Sequence, residues 1–292
     1  IEYLNDRTAE YEAGHPTISD KEWDDKYFEL ICLERELGYT LTNSPTIQIP
    51  YDVVNQLEKV EHNHKMLSLD KTKDMEDVVK FVGNQSFIAM AKMDGLTCSL
   101  RYINGRLVGA ETRGNGFVGE NILHNAKVVP SIPNTIPYKE ELVVDGEIIC
   151  TYTDFNDFSS DYRNPRNFAA GSIRLLDSNE CSKRKLKFVL WDVIEGLEDE
   201  QYLSEKLSIM SNCGFIIVPF NRGPSLVETE KTFKTIDEIV EDLLSYVDNF
   251  KYRTYFGDAA PNQIAEGIVF RMNDMTNSFK VISNKFLLKG GE

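Results

Sequence analysis

Asn104-Gly105 constrains this chain more than any other pair of residues. It lies in "YINGRL" (102–107), between two strand-forming runs, "LTCSLRYI" (96–103) and "RLVGAET" (106–112). An Asn-Gly pair accepts the positive φ angles of a type I′ turn, whose twist matches that of the flanking strands. The two runs are therefore expected to pair as an antiparallel hairpin. Further runs share their texture: "FIAMAKM", "ELVVDGEIICTY", "LKFVLWDVI", "GFIIVPF" and "EGIVFRM". Helical periodicity marks "KDMEDVVKFVG", "YLSEKLSIMSNCG" and "TIDEIVEDLLSYVDNF" among them. Hairpin-joined strands with helices between them predict an α+β fold.

The first 37 residues read differently. "SDKEWDDKYFELICLEREL" opens on Ser19 and has Glu22 three positions later, the capping-box pattern. Trp23, Tyr27, Leu30, Ile31 and Leu37 follow at helical spacing, and Gly38 supplies the stop. "TNSPTIQIP" is a loop by its Asn, Ser and Pro content. The texture changes after Lys59. A small helical domain over 1–59 and a larger domain of antiparallel sheets flanked by helices over 60–292 are expected.

Charge and cysteine usage narrow the function classes. Acids outnumber bases 47 to 32, a net charge of −15, which taken alone argues against a nucleic-acid binder. The charge is uneven, however. Arg163, Arg166, Arg174, Lys183, Arg184, Lys185 and Lys187 crowd one stretch, with Asp161, Asp177 and Glu180 the acids among them, so a basic face on an acidic body stays open. No apolar run approaches the roughly 18 residues of a membrane span. No signal peptide opens the sequence, so a cytoplasmic chain without a membrane partner is expected. The five cysteines are scattered without C-x-x-C spacing. That pattern implies reduced thiols, with neither a disulfide framework nor a zinc site.

The chemistry centres on Lys92-Met93-Asp94-Gly95, at the end of an apolar run. On spacing alone, a lysine beside an Asp-Gly turn is more often a charge closing a strand. An amine attacks only in its neutral form; burial and neighbouring cations favour that form, and a lone carboxylate opposes it. A nucleophilic lysine here needs partners beyond Asp94. Arg113, between Thr112 and Gly114-Asn115-Gly116, stands where bare backbone approaches a ligand closely, and its guanidinium suits a phosphate or carboxylate. Glu147 in "VVDGEII" and Glu266 in "AEGIVF" are carboxylates able to orient a ribose or hold a metal ion.

Taken together, these stretches resemble the NAD-dependent DNA ligases. "AKMDGLTCSLRYINGRLVGAETRGNGFVGENILHNAKVV" is similar to their nucleotidyltransferase core, as are "MLSLDKT", "DGEII", "RNPRNFAAGSIRLLDS", "LKFVLWDV" and "EGIVFRMND". "NPRNFAAGSIRLLD" is the most specific of them. Upstream, "YEAGHPTISDKEWDDKYFELICLERELG" resembles the helical amino-terminal domain that sets NAD users apart from ATP users.

The resemblance implies that Lys92 attacks the α-phosphorus of NAD, releases nicotinamide mononucleotide (NMN) and keeps AMP as a phosphoramidate. AMP then passes to the 5′-phosphate of nicked double-stranded DNA, where the 3′-hydroxyl displaces it. Mg²⁺ is the implied metal. Asp94 and Gly95 complete the motif; Ser68 and Leu69 match positions lining the adenosine pocket; Arg113 matches an arginine near the ribose. Glu120 matches a glutamate beyond the glycine-rich turn, Glu147 one that contacts ribose or metal, and Trp191 the aromatic that stacks on adenine. Arg166, in the "NPRN" segment, joins the nucleotide-binding set. Tyr11, Asp20, Trp23 and Asp24 match the patch that grips NMN; without the resemblance, Trp23 reads as a helix-packing residue.

The chain departs from the family in several places. Met90 stands where a glutamate commonly reads the adenine amino group, and a thioether is a poor acceptor. Glu12 stands where a histidine is frequent, Glu266 replaces an aspartate, and Arg271 replaces a lysine, keeping charge but not shape. The last motif lysine is Lys285 or Lys289. The family usually continues into an oligonucleotide-binding fold, a zinc finger, helix-hairpin-helix repeats and a carboxy-terminal module. None of these is found in the 292 residues, so an adenylation fragment, monomeric, competent in self-adenylation and weak in nick sealing, is expected. Two rivals stay open: a nucleotidyltransferase using ATP or GTP, which shares K-x-D-G, and a non-catalytic DNA-binding module of ligase descent.

Overall fold

The structure, a computed structural model, describes residues 1–12, 17–41, 43–46, 57–66, 69–72, 87–158, 162–223, 267–272, 275 and 278–282. It opens with two helices, α1 (Glu2–Glu12) and α2 (Asp20–Leu37). Ser19 caps α2 by accepting the Glu22 N–H at 3.2 Å, and Gly38 closes it at φ 72° with its N–H on the Glu34 carbonyl at 2.9 Å. The Glu22 carboxylate accepts from the Tyr3 hydroxyl at 3.2 Å, which ties the start of α2 to α1. Trp23 adds a second tie, donating its indole N–H to Thr8 Oγ1 at 3.0 Å while its ring stacks on Tyr27 at 5.0 Å.

Among the described residues the strands are β1 (Lys59–Glu61), β2 (Asp70–Thr72), β3 (Phe87–Ala91), β4 (Leu96–Ile103), β5 (Arg106–Thr112), β6 (Val118–Glu120), β7 (Leu142–Ile149), β8 (Lys187–Glu195), β9 (Phe220–Gly223), β10 (Gly267–Met272) and β11 (Ser278–Ile282). The two longer helices between them are α3 (Pro165–Ile173) and α4 (Leu203–Asn212). The expected hairpin is β4–β5, with Asn104 at φ 53° and Gly105 at φ 72°. It extends into a four-stranded antiparallel sheet of order β5-β4-β7-β8. A second sheet has the order β2-β11-β10-β3-β9, and β1 pairs with β6.

The chain is thus α+β, with its sheets antiparallel except where β2 runs parallel to β11. Those two strands come from opposite ends of the larger part, and no turn joins them. A second difference lies in "GFIIVPF", expected as one strand. Its centre makes an isolated parallel bridge, Leu190 to Ile217, and pairing with β3 begins only at Phe220. Pro219 explains the break: it has no N–H for a ladder, and its carbonyl accepts from Ala91 at 3.1 Å. The segment crosses from the four-stranded sheet to the five-stranded one. The helices expected in "KDMEDVVKFVG" and "TIDEIVEDLLSYVDNF" lie outside the described residues.

β4 shows why the four-stranded sheet has two unlike faces. Leu96, Cys98, Leu100 and Tyr102 are buried in the main core, alternating with Thr97, Ser99, Arg101 and Ile103. Phe168 and Ile173 of α3 and Leu207 and Met210 of α4 join the apolar set. Each side chain of that size gains about 1.5–3 kcal/mol on burial, so the apolar face fixes the register. The opposite face keeps its polar groups. No helix among the described residues is long and apolar enough to cross a membrane.

Candidate active site

Lys92 sits where the chain leaves one sheet for the other. β3 belongs to the five-stranded sheet and β4 to the four-stranded one, and Lys92-Met93-Asp94-Gly95 is the link between them. The Lys92 N–H is held by the Gly267 carbonyl at 2.9 Å, which extends the β3–β10 ladder to the lysine itself. Gly95 has no room for a side chain: a Cβ there would overlap the Ile148 carbonyl and press on Ile149 Cγ2 at 2.8 Å and Glu147 Cγ at 2.9 Å. The helix start in "NPRN" secures the same link. Asn164 caps α3 by accepting the Asn167 N–H at 2.8 Å, and Pro165 takes the first turn. Arg166 then donates Nε–H to the Gly95 carbonyl at 3.0 Å, with Asp94 Oδ1 3.7 Å away.

Beside this link lies the polar face of the four-stranded sheet. One row across it reads Glu111, Ser99, Asp145, Asp192, each paired with the next in register. The row nearer Lys92 reads Arg113, Thr97, Glu147. The Arg113 N–H donates to the Thr97 carbonyl at 3.0 Å, and the Thr97 hydroxyl donates to Glu147 Oε2 at 3.1 Å. The Glu147 carboxylate is thereby oriented. Arg113 opens a turn in which Gly114 (φ 54°) and Gly116 (φ 90°) are left-handed and Asn115 Oδ1 accepts from the Phe117 and Val118 N–H groups at 3.0 and 2.9 Å.

The far row is acidic, with Asp145 buried and Glu111 and Asp192 half-buried, and three bases answer it. His62 lies 3.0 Å from Glu111, His64 3.0 Å from Asp145, and Arg271 2.7 Å from Asp192. Burial lowers the affinity of His64 for its proton, but the hydrogen bond and charge of Asp145, with Glu111 and Asp192 behind it, hold the ring above its ordinary value. Burial raises Asp192, and the Arg271 guanidinium opposes that rise. Trp191 shares this corner. Asp145 pairs with Asp192 and Gly146 with Leu190, so Trp191 is the extra residue of a bulge, which re-aims side chains. The Arg271 guanidinium sits over its ring, 4.7 Å from the centroid, so one indole face already carries a cation.

The structure thus brings Lys92, Asp94, Gly95, Arg166, Arg113 and Glu147 to one end of the sheet, and Trp191 and Arg271 to the neighbouring corner. Glu120 is fully buried in an ion pair with Arg174 at 2.8 Å and takes its place in the frame. Met90 is buried in the core on β3. Leu69, half-buried, precedes β2. Ser68, Glu266 and Lys285, and the side chains of Tyr11, Asp20 and Asp24, lie outside the described residues. Sequence reasoning missed His62, His64, Asp145 and Asp192. The period of two held a signal for one of them: Asp145 stands two residues before Glu147, on the same face of β7. Among the described residues no three His, Cys, Asp or Glu side chains are grouped to hold a metal ion.

A model of the NAD-dependent DNA ligase adenylation domain family matches residues 54–277. Among curated proteins, a DNA ligase of Lachnoclostridium phytofermentans is 35% identical over 289 residues, covering 94% of this chain and 44% of its own length. A DNA ligase of Ruminiclostridium cellulolyticum is 38% identical over 252 residues, 82% of this chain and 37% of its own length. The chain therefore spans less than half the length of these relatives. Among solved structures, an apo form of a Naegleria gruberi RNA ligase mutant overlaps 88% of this chain and 66% of its own at 15% identity and a TM-score of 0.47. An archaeal ATP-dependent RNA ligase overlaps 76% and 49% at 16% identity and a TM-score of 0.45.

Proposed function

The chain belongs to the family of NAD-dependent DNA ligases, and from that premise we propose that it is a self-adenylating nucleotidyltransferase unit with Lys92 as nucleophile. The lysine's nitrogen attacks the α-phosphorus of NAD. The phosphoanhydride bond to NMN breaks, NMN leaves with the bonding electrons, and the amine loses a proton as the phosphoramidate forms. The placement of Lys92 carries this reading: its backbone is pinned to Gly267, and the following turn is pinned by Arg166, beside the oriented Glu147. A nucleophile carried on a fixed link has less backbone freedom to lose on reaching its target. Arg113 and Arg166 supply positive charge where the phosphate's charge develops.

Glu147 is the described carboxylate that would take Mg²⁺. One carboxylate fits, because this ion keeps several waters and binds mainly through substrate phosphates. When bound, Mg²⁺ would offset charge on the α-phosphate. Trp191, Arg271, Ser68, Leu69 and Glu266 belong to the adenosine end in this reading, with Lys285 on the phosphates. Met90, buried in the core, leaves the adenine amino group to be read by other groups.

Residues 1–59 form the NMN-gripping domain in this proposal, through Tyr11, Asp20, Trp23 and Asp24. A division near residue 59 is supported by β1, which begins there and pairs with β6, and by Leu57, which packs in the larger core. The unit acts as a cytoplasmic monomer in DNA replication and repair, as part of a longer ligase that seals nicked double-stranded DNA. The basic stretch from Arg163 to Lys187 faces that partner in this reading.

The test is intact mass after incubation with Mg²⁺ and either NAD or ATP. The expected result is one AMP adduct, from NAD alone, mapped to Lys92 and absent in Lys92→Ala. An adduct that survives Lys92→Ala, or one formed from ATP as readily as from NAD, sinks the reading.

A further inference from the structure

His62 has no part in the reading so far, yet its ring is fully enclosed, with 0% of the side chain exposed. It lies directly after β1. Nε2 is 2.8 Å from the Arg113 carbonyl oxygen, and Nδ1 is 3.0 Å from Glu111 Oε1. A backbone carbonyl only accepts, so Nε2 carries a proton and donates it to Arg113. The same carbonyl accepts the Gly116 N–H at 2.9 Å. Both of its lone pairs are then engaged, one by the turn itself and one by the imidazole.

Space for the ring is built in. A Cβ on Gly119 would overlap the Thr112 carbonyl and come within 2.8 Å of His62 Cε1, so the glycine lets the ring lie against the strand. The rest of the turn is secured without the ring. The His62 N–H donates to the Phe117 carbonyl at 2.9 Å and the Met66 N–H to the Gly116 carbonyl at 3.0 Å. The β1–β6 ladder and the Asn115 side chain complete the frame. What the imidazole adds is local: it fixes the peptide at Arg113, the residue whose backbone leads into the Thr97–Glu147 row beside Lys92.

We propose that His62 is a positioning residue for Arg113, acting through Nε2 on the Arg113 carbonyl, so that the guanidinium is held ready for the phosphate or ribose of the nucleotide. The proposal rests on the reading of Arg113 as a nucleotide-binding residue. It assigns the effect to one ring nitrogen, and that nitrogen can be replaced separately. The side-chain amide nitrogen of glutamine reaches the place of Nε2; that of asparagine reaches the place of Nδ1.

The experiment compares the rate of self-adenylation by NAD in the wild-type chain, His62→Gln, His62→Asn and Glu111→Gln. His62→Gln is expected to stay within about threefold of wild type and His62→Asn to fall about tenfold, the value of one hydrogen bond to an oriented group. Glu111→Gln spares the Nε2 contact and is expected to side with His62→Gln. Equal rates for the two His62 variants, a faster asparagine than glutamine, or a Glu111→Gln variant as slow as His62→Asn each overturns the assignment. A wild-type chain that takes no AMP from NAD instead overturns the reading of function. The contact is then tested on its own by hydrogen exchange at the Gly116 amide, which shares the Arg113 carbonyl. Faster exchange in His62→Asn than in His62→Gln is expected, and equal exchange refutes the positioning contact.

Discussion

Gly95 shows how little freedom the residues around Lys92 have. The Ile148 carbonyl, Ile149 and Glu147 close on its Cα from the neighbouring strand, and Arg166 holds its carbonyl. Gly95→Ala forces that strand away, and overpacking of this kind costs about 1–3 kcal/mol. The chemical denaturation midpoint should fall accordingly, and adenylation should slow further than stability accounts for, because Glu147 moves with the strand. A variant with wild-type stability would show that the neighbouring strand does not confine this position. Trp191 is a second test at this scale. Its ring carries the Arg271 guanidinium, and adenine stacking is proposed for it as well. Trp191→Phe keeps a ring for either partner, whereas Trp191→Ala should weaken nucleotide binding by about 1–3 kcal/mol. Equal affinity in the two variants, measured as KM for NAD, would leave the ring a structural role only.

At the scale of the element, β7 carries both a carboxylate of the proposed site and a pH dependence. Asp145 and Glu147 share one face, two residues apart, while Val144 and Ile148 fill the other. Asp145 binds His64, whose second ring nitrogen is 2.7 Å from Asn63 Oδ1, so both nitrogens face oxygen. The ring is held above its ordinary value of 6.5, and it therefore binds its proton more tightly folded than unfolded. The resulting stabilisation is complete below 6.5, where both states are protonated, and is lost as pH rises through the higher folded value. His64→Gln should remove that step, giving a flatter stability profile across the histidine range in urea melts. An unchanged slope would mean that another group carries it. The elements also show what the sequence made legible. The Asn104-Gly105 turn, the Ser19 and Gly38 caps and the alternation in β4 are decided by neighbours a few positions apart, and each was readable. The parallel β2–β11 pair and the bulge at Trp191 depend on partners far along the chain, which no local pattern encodes; the break at Pro219 did have a local signal, the proline inside "GFIIVPF", but not the sheet to which the chain crosses. The acidic row Glu111–Asp145–Asp192 stayed hidden for the same reason: its members come from three strands.

At the scale of the whole molecule, the chain crosses between the two main sheets, among the described residues, at Lys92–Gly95 and at 216–220, and the Arg271–Asp192 pair reaches from β10 to β8. Lys92, the proposed nucleophile, therefore sits on a seam between the two sheets rather than within either. The amino-terminal helices are tied to each other by Tyr3–Glu22 and Trp23–Thr8, and in the proposed division of labour they form a separate unit that serves only the first chemical step. NMN is the leaving group of that step and takes no part in later ones. Removal of residues 1–59 should therefore abolish reaction with NAD while leaving a core able to hold AMP already attached to Lys92. Asp24→Ala asks the same question with less damage, since Asp24 lies on α2 one residue after Trp23. If its carboxylate orients the NMN half, its loss removes one charge-assisted hydrogen bond, roughly 1.5–3 kcal/mol, or about ten- to a hundredfold in rate. Adenylation by NAD should slow by that factor. So should its reverse, the discharge of preformed lysyl-AMP by added NMN, because both pass through the same transition state. Transfer of preformed AMP to a nick, measured in the longer ligase proposed to contain this unit, should be nearly unchanged. Two outcomes count against the division: an Asp24→Ala chain that reacts with NAD at the normal rate, or one in which transfer to DNA slows as much as the reaction with NAD.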